Sequence, residues 1–128
     1  MLEEYLDGIL QELLVSPAVS SFKVLRQEAG DESGFIRIKC ILPNGDILEF
    51  ALYLIVHKNK IHIETYSFHR QTSDGELVKR WDNVAHHKEI KTFPHHIHLS
   101  DGKVVDSGPM TLGKVLMDIE KTISVDVE

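Results

Sequence analysis

The stretch "GFIRIKCILPNGDILEFALYLIVHKNKIHIETYSFHR", residues 34–70, decides the fold. In "GFIRIKCILP" apolar and basic residues alternate: Ile36, Ile38, Cys40 and Leu42 share one side, Arg37 and Lys39 the other. That period of two belongs to a strand with one buried face. "DILEFALYLIVH" is nearly all apolar and predicts a strand in the middle of the sheet, covered on both faces. "KIHIETYSFHR" sets Ile61, Ile63 and Thr65 against His62, Glu64 and Tyr66. The joints between these segments are short. Pro43–Asp46 contains Asn-Gly, which reaches positive φ cheaply, and His57–Lys60 is polar and brief. Strands joined this way pair antiparallel, in meander order.

Outward from that stretch, "LEEYLDGILQELL" places Leu2, Leu6, Ile9, Leu10, Leu13 and Leu14 on one helical stripe, and Pro17 ends it. "FKVLR" is a short strand. After "SDG" at 73–75, "ELVKRW" predicts a fifth strand, with "HIHL" and "KVV" as short ones around Asp101-Gly102. "SGPMTLGKVLMDIEKTI" predicts a closing helix capped by Ser107, with Pro109 in its first turn. Its apolar face carries Leu112, Val115, Leu116, Ile119 and Ile123. The expected architecture is α+β, in one domain over residues 1–128: an N-terminal helix, an antiparallel β meander of about five strands, a histidine-rich loop segment and a C-terminal helix.

A hydrophobic fraction of 42% with 27% charged residues is the ordinary soluble mix. Cys40 is the only cysteine, which excludes an intrachain disulfide and a thiolate metal cage from one chain. The acidic start "MLEEYLDGIL" is unlike a secretory signal and no apolar run is long enough to span a bilayer, so a cytoplasmic protein without membrane contact is expected. A net charge of −6 argues against strong non-specific binding to nucleic acid. The charge is uneven, however: residues 57–103 carry a local +2 and all eight histidines, and the rest carries −8. The histidine region is therefore suited to face a polyanion.

"RWDNVAHHKEIKTFPHHIH", residues 80–98, holds five of those histidines and the only tryptophan. Five histidines within thirteen residues stand far above the average background of about one in forty to fifty. Metal-free RNA cleavage needs a base for the 2′-hydroxyl, an acid for the departing 5′-oxygen, and cations around the phosphorus. His86 or His87, paired with His95, His96 or His98, would be the acid–base pair. Arg80, Lys88 and Lys91 would meet phosphate, and Trp81 or Phe93 would offer a face to a base. Other readings stand beside this one. Trp81 is by type a core residue. Phe93-Pro94 suits a loop anchor, and Asp82 and Asn83 suit a turn. Adjacent pairs such as His86-His87 point oppositely when extended, and there is no HExxH, so metal ligation lacks a signature spacing.

The same run resembles the TumE family of toxins, whose signature is approximately R-[WY]-D-N-A-P-H-H-x-E-[LI]-x-T-[FH]-P-H-H-x-H. Arg80, Trp81, Asp82, Asn83, His86, His87, Glu89, Thr92, Phe93, Pro94, His95, His96 and His98 match. The chain departs at Val84-Ala85, where Ala-Pro is usual. The lead-in "YSFHRQTSDGELVKRWDN" is also similar, with Tyr66, Asp74 and Gly75 in comparable places. The resemblance implies a toxin-like domain silenced by a small antitoxin of the DNA-binding, helix-turn-helix type. With the residues, it sets the expectation of a metal-independent endoribonuclease without cofactors. The alternatives are a metal-dependent hydrolase or nuclease using the same histidines, and a non-enzymatic surface for an antitoxin or other partner.

Overall fold

A computed structural model describes residues 1–85, 87 and 89–127. The chain opens with helix α1 (Leu2–Val15) and continues into seven strands: β1 (Ser21–Ala29), β2 (Ser33–Ile41), β3 (Ile47–His57), β4 (Lys60–Gln71), β5 (Leu77–Asp82), β6 (His96–Leu99) and β7 (Val104–Asp106). It closes with helix α2 (Leu112–Val127). The strands lie in chain order in one sheet, every neighbouring pair antiparallel. The α+β meander expected from the hairpin spacing is present, with seven strands where about five were expected. The two beyond five are β6 and β7, and they fall on the short stretches "HIHL" and "KVV" expected around Asp101-Gly102.

Both helices cover the same face. Along β2 to β5 that face carries Ile36, Ile38, Leu48, Phe50, Phe68 and Trp81, all buried. Leu2, Leu6, Ile9 and Leu13 of α1 join them, as do Leu112, Val115, Leu116 and Ile119 of α2. Leu14 does not. It is 64% exposed, because it stands one residue, about 100° of helix, beyond Leu13. α2 also begins later than expected. Thr111, not Ser107, precedes its first turn, its Oγ1 accepting from the Lys114 amide at 3.3 Å. Ser107 instead donates its amide to Thr92 Oγ1 at 2.9 Å.

Two strand readings are corrected. β3 is not covered on both faces: Leu48, Phe50, Leu52 and Leu54 are buried, while Glu49 and Ala51 are half-buried and Tyr53 is exposed. Its length of apolar sequence hid an ordinary one-sided strand. In β4 the strict alternation fails at a bulge, since Tyr53 faces Thr65 and Leu54 faces Ile63. Glu64 is the extra residue, so Tyr66 returns to the side of Ile61 and Ile63. Asn83 occupies that irregularity. Its Oδ1 accepts from the Tyr66 amide at 2.8 Å and its Nδ2 donates to the Glu64 carbonyl at 3.1 Å.

Three hairpins share one turn. In Leu42–Asp46 the Gly45 amide donates to the Leu42 carbonyl and the Leu42 amide to the Asp46 carbonyl, with Gly45 at φ 91°. A side chain at Gly45 would be strained there, which explains why "SDG" at 73–75 and 100–102 repeats the same pattern. Cys40 faces the core with no exposed surface, and burial pushes its thiol up to about 12. A disulfide reagent at pH 8 should therefore leave the native protein unmodified and label one thiol per chain once it is denatured. Rapid labelling of the native state would contradict this packing.

Candidate metal-binding and catalytic cluster

The open face of the sheet, opposite the helices, receives the odd partners of the core positions. Two rows run across the strands. In one, Arg37 faces Ala51, Ala51 faces Ser67, Ser67 faces Asp82 and Asp82 faces His96. In the other, Glu49 faces His69, His69 faces Arg80 and Arg80 faces His98. The alternation in Arg80-x-Asp82 and in His96-x-His98 thus places four polar side chains in one square. The loop after β5 brings back His87, whose ring centroid lies 5.3 Å from that of His96 and 5.7 Å from that of His98.

Asp82 is the centre of this square. Its Oδ1 lies 2.9 Å from His96 Nε2, and its Oδ2 lies 3.4 Å from His98 Nε2 and 3.0 Å from Arg80 Nε. Asp82 and His96 are each 1% exposed. The Arg80 contact is electrostatic, because its N–H is not aimed at the carboxylate. Arg80 Nε and Asp82 Oδ2 are therefore buried without a hydrogen bond among the described residues.

The histidine tautomers follow from their partners. His96 Nδ1 lies 2.9 Å from the Pro94 carbonyl, which can only accept, so Nδ1 carries a proton. In a neutral ring Nε2 is then a lone pair, and it faces the Asp82 carboxylate and His98 Nε2 at 3.1 Å. Lone pairs do not face one another at that range unless positive charge lies between them. A proton shared among these groups or a cation at this point satisfies the geometry. Burial lowers the pKa of His98, reinforced by His96, Arg80 and His87 against the opposing pull of Asp82, so its ring is neutral near pH 7. The ligating nitrogens of His87, His96 and His98 all lie within 4.8 Å of one another. A tetrahedral zinc site needs donor separations of about 3.4 Å, given Zn–N bonds of about 2.0–2.1 Å. The trio, one ring buried and two half-buried, lies within the range of three donors to a metal of that class.

The other sequence candidates are elsewhere. His95 leaves the cluster: its Nδ1 is 2.8 Å from Tyr66 Oη and the rings stack at 5.8 Å. Burial, and then the neighbouring His96, lower its pKa. Trp81 is 1% exposed on the helix side beneath Lys79 Nζ, 4.9 Å from its ring, so its face is out of reach of a base. Lys91 is exposed in the loop, and His86 and Lys88 lie outside the described residues. His57 and His62 adjoin each other at the far hairpin, ring centroids 6.2 Å apart. Asp82, by type a turn residue, is the member of the cluster that residue type alone conceals. The signal was its spacing from Arg80, set beside the matching spacing of His96 and His98.

Beside the cluster the open face forms a groove of about 320 Å³, lined by Arg37, Glu49, Ser67, His69, Gln71 and Arg80. Burial, and next the Arg80 charge, lower the pKa of His69, making it a neutral hydrogen-bonding group near pH 7. No helix among the described residues is long and apolar enough to cross a membrane. A family model described as "Toxin TumE" matches residues 7–124. No curated protein and no solved structure matches the chain.

Proposed function

The chain belongs to the TumE toxin family, and from that premise we propose that it is the toxin of a toxin–antitoxin pair that cuts RNA phosphodiesters with a divalent metal held by His87, His96 and His98. The partner that silences it is an antitoxin, of the helix-turn-helix type in this reading. The observation that carries the chemistry is the meeting of three imidazoles and a buried carboxylate at one point, with an arginine alongside.

The metal-free route expected from the sequence needs two imidazoles on opposite sides of a phosphorus atom. Of the pairings expected, His87 with His96 or His98 has its ligating nitrogens within 4.8 Å, a close spacing for two groups that flank a phosphate, and His96 and His98 Nε2 are 3.1 Å apart. The same closeness suits two ligands of one ion. A bound metal of this class polarises a phosphoryl oxygen and acidifies a coordinated water. Asp82 offsets the positive charge of the site and can serve as a fourth donor. Arg80, 40% exposed in its side chain, reaches from the cluster towards the groove and stabilises negative charge on the phosphate. Thr92 holds the loop in place, donating to the His95 carbonyl at 2.7 Å and accepting from the Ser107 amide.

The test is elemental analysis of the purified chain together with RNA cutting before and after chelation. One zinc-class ion per chain is expected, with cutting lost in chelator and restored by zinc or manganese. Cutting that persists in chelator and leaves 2′,3′-cyclic phosphate ends would return the site to metal-free acid–base chemistry. Growth arrest on induction that survives loss of His87, His96 and His98 would instead mark a non-enzymatic docking surface.

A further inference from the structure

We infer that the open face of the sheet, from the cluster to β1, is a platform for a single RNA strand, with Tyr53 and Phe35 stacking its bases and Arg26, Arg37 and Lys39 holding its phosphates. This rests on the reading of the protein as an RNA-cutting toxin and assigns the surface that presents the substrate.

The placement follows from strand register. The row through Asp82 and His96 continues past Ser67 and Ala51 to Arg37 and then Arg26. The row through Arg80 and His98 continues past His69 and Glu49 to Lys39 and Lys23. From β6 to β1 is five strand spacings, about 24 Å at about 4.8 Å each, enough for several nucleotides. The middle of the track is low, since Ala51 and Ser67 are small, and it coincides with the groove beside the cluster. Its far end is basic. Lys23, Arg26, Arg37 and Lys39 stand there against Glu28 and Glu49, which pair with Arg26 and Arg37 respectively at 3.0 Å and would yield them to a phosphate, and the Asp31-Glu32 turn lies beyond Phe35.

The aromatics stand at that basic end. Phe35 faces Tyr53 across β2 and β3, on the side away from the helices. Tyr53 is 40% exposed, which leaves much of its ring open to solvent. The Arg26 guanidinium lies 4.8 Å from the centre of the Phe35 ring and that of Arg37 lies 5.9 Å from it. Guanidinium planes and aromatic rings laid side by side on an open antiparallel sheet are the means by which proteins hold unpaired bases without reading long sequences. On a chain of net charge −6, cationic side chains beside open rings are the places where a polyanion is attracted.

The experiment measures binding of a fluorescently labelled single-stranded oligoribonucleotide to the full chain in chelator at low temperature, where cutting is silent. Tyr53→Ala should raise the Kd at least five-fold, and Arg37→Gln with Lys39→Gln should flatten the salt dependence by about two charges. Thermal melting of each variant shows that the fold persists. Wild-type binding unchanged by all three substitutions would overturn the platform while leaving RNA cutting at the cluster intact. Wild type that neither binds nor cuts RNA would overturn both. Variants that lose antitoxin binding but keep RNA binding would give the face to the antitoxin and remove this proposal.

Discussion

Asp82→Ala is expected to destabilise the protein by about 3–5 kcal/mol and to abolish both metal retention and RNA cutting. The carboxylate is 1% exposed and balances His96, equally buried, together with Arg80. Removing it takes the partner from the buried His96 ring and the acceptor from the Val84 amide at 3.1 Å and leaves a polar cavity, and together these losses reach this size. In a chain of 128 residues it corresponds to a melting temperature about 10–18 °C lower. Asp82→Asn separates fold from function. The amide keeps the volume and one acceptor, so most of the stability should return, while the negative charge that balances a bound cation is gone. Its metal content, measured by mass spectrometry on the folded variant, should fall well below one ion per chain. Full metal content and wild-type cutting in Asp82→Asn would remove Asp82 from the site.

The second large effect lies on the helix side. Arg70 is 4% exposed, and its guanidinium holds Asp46 at 2.9 and 3.0 Å and Thr122 Oγ1 at 2.7 Å. One side chain thus joins β4, the β2–β3 turn and α2. Arg70→Ala should cost about 3 kcal/mol, at the low end for a buried pair because the Asp46 side chain is 15% exposed and water reaches it in the variant. Arg70→Met restores the packing of the aliphatic stem but not the charge, and should recover part of that loss. Combining Asp46→Asn with Arg70→Met should cost less than the sum of the two, because the orphaned charge is then absent. Additive losses in urea denaturation would show that the pair is uncoupled.

The strand periods and hairpin turns of residues 34–70 were legible because alternation is a local property, set by the geometry of an extended chain. The bulge at Glu64 was not, since a single inserted residue leaves every neighbouring type unchanged and shows only in the register against β3. The crowding of histidines pointed to the right segment, yet it could not say which of them meet. His95 and His96 are adjacent in sequence, and one reaches Tyr66 while the other reaches Asp82.

The α+β meander with one apolar face is readable from residue order alone, since burying that face is the main free-energy gain of folding and its pattern is written residue by residue. The membership of the cluster, by contrast, is set only when the strands pair. Asp82 looks like a turn residue until β5 pairs with β6 and sets it opposite His96. Tyr53 and Phe35 look like core aromatics until the helices settle on the other face. Partners that lie more than a dozen residues apart are chosen by strand register, and register is a property of the whole sheet.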